Sequence, residues 1–127
     1  MIHILIIDAD KTLRGTYAKA LEKAGYSVAV APSAQAAIGL CEEHIPDVIV
    51  LELQLQGHSG VEFLHELRSY PEWLHIPVLL QTLVPSKDLD GFEKAFKSMG
   101  IAGYAYKPET TLKKLVDIIS DTVQIKR

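Results

Sequence analysis

A chain of 127 residues, 48% hydrophobic and 23% charged, has the size and make-up of one globular domain with a real core, here residues 1–127. Its net charge of −3 offers no basic patch or tail for nucleic acid or anionic lipid, so direct DNA binding is disfavoured. No apolar run approaches the roughly 20 residues of a membrane span, and the amino terminus enters an apolar strand without a positive leader or cleavage site, which predicts a cytoplasmic protein. The single cysteine, Cys41, has no thiol partner for a disulfide or zinc cluster and reads as a small core residue of a helix.

Ile2 to Ile7 is a run of Ile and Leu expected for a buried strand, and it ends at Asp8-Ala9-Asp10. Leu13, Tyr17, Ala20, Leu21 and Ala24 then recur at helical spacing, with Asp10 as N-cap and Gly25 as the stop. Ser27 to Ala31 is a second strand, and Ser33 opens a helix to about Glu43 whose inward face is Ala36, Ala37, Leu40 and Cys41. Val48 to Leu51 is a short unbroken apolar run, the signature of a strand covered on both faces of a parallel sheet.

Glu52 stands where that strand emerges, and carboxylates at strand ends are where open α/β sheets place their chemistry. Gly57, Ser59 and Gly60 mark the turn into a third helix, and Ser69 to Trp73 reads as a loop. Ile76 to Gln81 is the fourth strand, with Thr82 at its end. A helix over Lys87–Met99 carries Leu89, Phe92, Ala95, Phe96 and Met99 and stops at Gly100. Gly103 to Tyr106 is a fifth strand ending at Lys107-Pro108, and Thr110 to Val123 is the last helix, with Leu112, Leu115, Val116, Ile118 and Ile119 among polar residues. Five strand–helix units in series predict a parallel sheet covered on both faces, with right-handed crossovers.

ILIIDAD followed by KTLR, PDVIVLELQL with its G-x-x-G, IPVLLQT and GYAYKP resemble, in order and spacing, the receiver domain of bacterial two-component response regulators. The resemblance implies a flavodoxin-like (βα)5 fold with strand order 2-1-3-4-5. It also implies a site in which two adjacent acids hold Mg²⁺, an aspartate accepts a phosphoryl group, and a hydroxyl and a lysine bind the phosphoryl oxygens. Those positions here are Asp8 and Ala9, Glu52, Thr82 and Lys107. Tyr104 takes the aromatic switch position, and Pro108 the proline whose preceding bond is usually cis in the family. Ala9 and Glu52 depart from the pattern. Gln56 stands where a proline is common, and the segment between Thr82 and Gly100 is longer than usual.

Ala9 cannot ligate a metal, and Glu52 carries one methylene more than the acceptor aspartate. Asp8 and Glu52 therefore face Lys107 in a cluster that approaches neutrality without an ion, and Mg²⁺ is expected to bind weakly or not at all. Phosphorylation is disfavoured for the same reasons. Glu52, ion-paired with Lys107, becomes a candidate built-in mimic of the phosphorylated state, with Thr82 and Tyr104 drawn inward. The plainer readings stand beside it: Glu52 as a strand-end acid paired for stability, and Tyr104 as a packing residue. Asp10 reads as an N-cap rather than a ligand, the histidines as solvated except His58 beside the site, and Trp73 as a loop residue over apolar surface or a partner anchor. The resemblance implies a protein partner, such as a histidine kinase or downstream signalling protein, on the face of the fourth helix, fifth strand and fifth helix, with a homodimer as a further option. Rival readings are an active phosphoacceptor receiver, a metal-dependent phosphotransfer enzyme using Asp8 and Glu52, and a nucleotide or flavin binder. The last is disfavoured because no glycine-rich loop follows the first strand.

Overall fold

Five short, mainly apolar segments form the strands of one parallel sheet: His3–Ile7 (β1), Ser27–Ala31 (β2), Val48–Leu51 (β3), Val78–Thr82 (β4) and Ile101–Tyr106 (β5), in the order β2-β1-β3-β4-β5. The computed structural model describes residues 1–55, 57 and 59–126, with side chains through residue 124, so the expectations for Gln56 and His58 lie outside the described residues. The helices are Lys11–Lys23 (α1), Ala34–Glu43 (α2), Gly60–Leu67 (α3), Glu93–Ser98 (α4) and Leu112–Lys126 (α5). This is the predicted flavodoxin-like arrangement.

Period-two alternation sorts the strands' side chains into two cores. Ile4, Ile6, Val48 and Val50 pack on one face against Tyr17 and Leu21 of α1 and Leu115, Ile119 and Val123 of α5. Leu5, Ile7, Ile49 and Leu51 pack on the other against Ile38 and Cys41 of α2 and Phe63, Leu64 and Leu67 of α3. The register sets β1 and β3 level, Ile4 opposite Val48 and Ile7 opposite Leu51, so the residues just past each strand, Asp8 and Glu52, emerge side by side.

Side-chain caps begin four of the helices, Thr111 Oγ1 accepting from Lys114 N at 3.1 Å ahead of α5. Asp10 Oδ1 accepts from Leu13 N at 3.0 Å, Ser33 Oγ accepts from Ala36 N at 3.2 Å, and Ser59 forms a capping box with Glu62. Asp10 is thus the cap that its position predicted. The buried face of α2 is turned from the expected one: Ala34, Ala37, Ile38 and Cys41 are buried, and Ala36 and Leu40 flank them.

The helix expected over residues 87–99 is broken. A 3₁₀ turn covers Ser86–Leu89, Gly91 takes φ +90°, and only Glu93–Ser98 is α-helical, with no buried residue. Asp90-Gly91 is a strong turn signal, and the apolar stripe on either side is too sparse to override it. The strand β5 starts at Ile101, two residues before the expectation, with a bulge that sets Val78 opposite Ile101 and Leu79 opposite Gly103. The loop expected at 69–73 contains a 3₁₀ turn, Pro71–Trp73. Trp73 is buried with its ring 4.5 Å from that of Tyr70, so it is core rather than an exposed anchor.

Two arrangements at the opposite edge of the sheet had no sequence signal. The guanidinium of Arg68 donates to the carbonyls of Met99 and Ile76, both at 2.7 Å, and of Trp73 at 2.9 Å, tying the ends of α3 and α4 together. His3, expected to be solvated, is buried with its ring stacked on that of His44 at 3.9 Å and its Nδ1 2.9 Å from Ser27 Oγ. Its backbone N–H also donates to Asp47 Oδ2 at 2.8 Å.

Burial, then the neighbouring His44, holds the His3 pKa below its usual 6.5, against the opposing pull of Asp47 and the contact with Ser27. The folded state therefore binds this proton less readily than the unfolded chain. The stability that His3 contributes is complete above pH 6.5 and is lost as pH falls from there through the lower folded-state value. Thermal melts are expected to show a drop between pH 7.5 and pH 5.5 that His3→Gln flattens; equal slopes in the two proteins would contradict it.

Candidate functional site

The carboxyl ends of β1, β3, β4 and β5 bring Asp8, Glu52, Thr82 and Lys107 into one buried cluster. Asp8 is 4% exposed, Glu52 3% and Thr82 0%. Glu52 N donates to Ile7 O and Asp8 N to Ala31 O, both at 3.0 Å, which extends the ladder past the strand ends and aims both side chains across the sheet edge. Gly60 closes the site from beneath: a Cβ there would lie 2.7 Å from Leu53 Cα and 2.8 Å from Glu52 O, so the first turn of α3 approaches Glu52 as only glycine allows.

Both oxygens of Glu52 are fully engaged. Oε1 accepts from Gln54 N at 3.0 Å and from the Thr82 hydroxyl; Oε2 accepts from Leu83 N at 3.1 Å and from Lys107 Nζ at 2.8 Å. Asp8 is engaged in the same way, Oδ1 by Asp10 N at 2.9 Å and Oδ2 by Lys107 Nζ at 2.5 Å. The cluster holds two carboxylates and one ammonium. The remaining negative charge faces the amides of Asp10, Gln54 and Leu83, and Arg14 Nη1 donates to the carbonyls of Asp8 and Ala9, at 3.0 Å each. Burial on its own lowers the Lys107 pKa, but the hydrogen bonds and charges of Asp8 and Glu52 outweigh it, and the net shift is upward. Lys107 is a fixed cation.

Tyr17, placed by its spacing in the core stripe of α1, lies near enough to feel this cluster. Burial raises its pKa, Lys107 opposes that, and Asp8 and Glu52 add to it. From Thr82 a chain of contacts runs outward: Val84 N donates to Thr82 Oγ1 at 3.1 Å, and Tyr104 OH donates to Val84 O at 2.7 Å. The structure thus links all the predicted site residues but Pro108, and adds Arg14 and the amides of Gln54 and Leu83.

The expectation of a cis bond before Pro108 is corrected. Every peptide bond among the described residues is trans. Pro108 sits in a 3₁₀ turn over Lys107–Glu109, closed by Thr110 N to Lys107 O at 3.2 Å and tied back by Thr110 Oγ1 to Tyr106 O at 2.7 Å. Proline's fixed φ suits the start of such a turn with a trans bond, and Lys107 reaches both acids from it.

An open parallel α/β sheet with acids, a hydroxyl and a lysine converging at its carboxyl edge defines a class of α/β proteins with a site at the strand ends. The chain belongs to the response regulator receiver domain family, whose family profile matches residues 4–120. It is 33% identical over 107 residues to the phosphate regulon transcriptional regulatory protein PhoB of Pseudomonas aeruginosa, covering 83% of this chain and 44% of that protein. It therefore spans less than half the length of that relative. It is 30% identical over 105 residues to the polar-differentiation response regulator DivK of Brucella ovis, covering 83% of each. Among solved structures it is similar to a CheY-like receiver domain from Methanospirillum hungatei, with a TM-score of 0.86 at 21% identity over 99% of this chain and 96% of that one. A receiver domain from Clostridium thermocellum superimposes with a TM-score of 0.82 at 26% identity, covering 99% and 97%.

The resemblance implies Mg²⁺ at this site, and the residues present do not fit it. Ala9 supplies no side-chain oxygen, and each carboxylate oxygen of Asp8 and Glu52 already accepts a hydrogen bond or ion pair from the protein. Among the described residues no three of His, Cys, Asp and Glu are grouped as metal ligands. A hard dication would have to displace Lys107 from both acids and would gain at most two carboxylates in return.

Proposed function

We propose that the chain is an atypical receiver that works without phosphorylation: a cytoplasmic protein-interaction module, not an enzyme, in which Glu52 stands permanently where an acceptor aspartate would carry a phosphoryl group. The observation that carries this reading is the saturation of Glu52 by Gln54 N, the Thr82 hydroxyl, Leu83 N and Lys107 Nζ. Those are donors suited to an anion larger than an aspartate carboxylate, and the extra methylene of Glu52 brings its oxygens to them. The mimic is partial, since a carboxylate brings about one charge and two oxygens against the roughly −1.5 to −2 and three oxygens of a phosphoryl group.

The contacts from Thr82 through Val84 to Tyr104 give that anion a path to the surface. The surface proposed for a protein partner comprises α4, β5 and α5. Leu83 and Phe92 beside it are 51% and 54% exposed, and Leu112 at the start of α5 is 40% exposed, apolar area that a partner would bury. A signalling protein such as a kinase or a downstream effector fits there better than nucleic acid, given the net charge of −3.

Glu52→Gln tests the reading. It keeps the shape but replaces an acceptor with an NH₂ donor among donors. Two-dimensional NMR is expected to show the Val84 amide and the Tyr104 ring resonances moving, with a stability loss of about 3 kcal/mol from the buried pair broken. Unmoved Val84 and Tyr104 resonances would reduce Glu52 to a strand-end acid held for stability alone.

A further inference from the structure

Beneath α4 lies a cavity of about 470 Å³ that the site does not use. Leu80, Leu89, Phe96, Ile101 and Tyr104 give it apolar walls, and Asp90, Glu93 and Lys97 are among the polar residues of the lining. Leu89, Phe96, Ile101 and Tyr104 are only half-buried, so the fold leaves this apolar surface partly wet. Volume and lining are those of a small-molecule pocket, apolar walls with a few polar groups.

The roof is built to yield. The helix α4 buries none of its residues, has no side-chain N-cap and is preceded by Gly91 at φ +90°. Its other end is pinned, because Arg68 Nε donates to Met99 O at 2.7 Å and Nη2 to Gly100 O at 3.4 Å. The floor is built to report. Tyr104, which lines the cavity, is the residue whose hydroxyl donates to Val84 O.

We infer that this cavity binds a small organic amine, a one- or two-ring apolar body with a single ammonium group. The walls take the rings. Glu93 Oε2 accepts from Gly91 N at 2.9 Å, which leaves its other oxygen and the Asp90 carboxylate for a ligand; the two acids outnumber Lys97 in the lining, and no ion pair joins either to that lysine among the described residues, so the charge facing a ligand is negative. A carboxylate of the same shape is disfavoured there. Calling the cavity a second input, one that replaces the lost phosphoryl signal, rests on the reading of Glu52 given above; the binding does not.

The test is an NMR titration of the ¹⁵N-labelled full chain with tryptamine and, separately, with indole-3-propionate. Tryptamine is expected to shift the amides of Leu89, Phe96, Ile101 and Tyr104 saturably, with a Kd of about 1 mM or tighter. The propionate should bind at least about fivefold more weakly, the scale of one exposed charge pair. Asp90→Asn with Glu93→Gln, both on the surface, should erase the preference while leaving the fold intact. No saturable shift, equal affinity for amine and acid, or shifts of the same residues on concentrating the protein alone would overturn the inference, the last by seating a second copy on the cavity. The titration does not touch Glu52. An unmoved Tyr104 in Glu52→Gln would therefore defeat the mimic reading and leave amine binding standing, and the converse holds too.

Discussion

Replacing Lys107 with Met is expected to cost about 3–5 kcal/mol of folding stability at neutral pH, because it strands two buried carboxylates that share one cation. The side chains of Lys107, Asp8 and Glu52 are 6%, 6% and 3% exposed, so water cannot take over the role of the ammonium. Urea unfolding of the two proteins measures the loss. The control is the triple variant Asp8→Asn, Glu52→Gln, Lys107→Met, which removes all three charges and should recover most of the deficit. A buried ion cluster destabilises when one member is deleted far more than when all are. A Lys107→Met variant as stable as the parent would mean that the cluster is solvated and the account of its charge balance wrong.

The second large effect is a gain. Ala9→Asp with Glu52→Asp should yield a variant that takes phosphate from acetyl phosphate in a Mg²⁺-dependent way, where the parent is expected to take none. Shortening Glu52 withdraws its oxygens from Thr82, Leu83 and Lys107, which frees those donors for a phosphoryl group, and Asp at position 9 restores the missing ligand. Glu52→Asp alone should be slower by about 10²-fold, the scale of losing one charge-stabilising group. Intact-mass spectrometry with and without EDTA reads both variants. Equal labelling of the single and double variants would show that Ala9 is not what excludes the metal.

Much of the fold and of the site is legible in the sequence alone. Ile4 to Ile7 of β1 and the whole of β3 are short unbroken runs of Ile, Leu and Val, and composition alone marks them as strands. Asp10, Ser33 and Ser59 announce their helices because a cap is a local interaction, complete within four residues. Glu52 could be singled out because a strand end is readable, and what lies past the end of a parallel strand is a site.

What was not legible depends on distant partners or on the backbone. Nothing local to His3 says that its ring meets Ser27 and His44, and nothing local to Arg68 names the carbonyls of Ile76 and Met99. The amides of Gln54 and Leu83 carry half of the hydrogen bonding to Glu52, and a backbone N–H has no letter in the sequence. The α4 segment misled for the opposite reason. Its apolar spacing is helical throughout, and Asp90-Gly91 interrupts it in a place where too little burial is at stake to keep the helix whole.

The most direct measurement is also the simplest: the unmodified chain, incubated with acetyl phosphate and Mg²⁺, weighed intact, and compared by NMR before and after. The account predicts an unchanged mass and unchanged Thr82, Val84 and Tyr104 resonances, since their anion is already in place. A phosphoryl group on Glu52, or a Mg²⁺-dependent shift of those resonances, would contradict it.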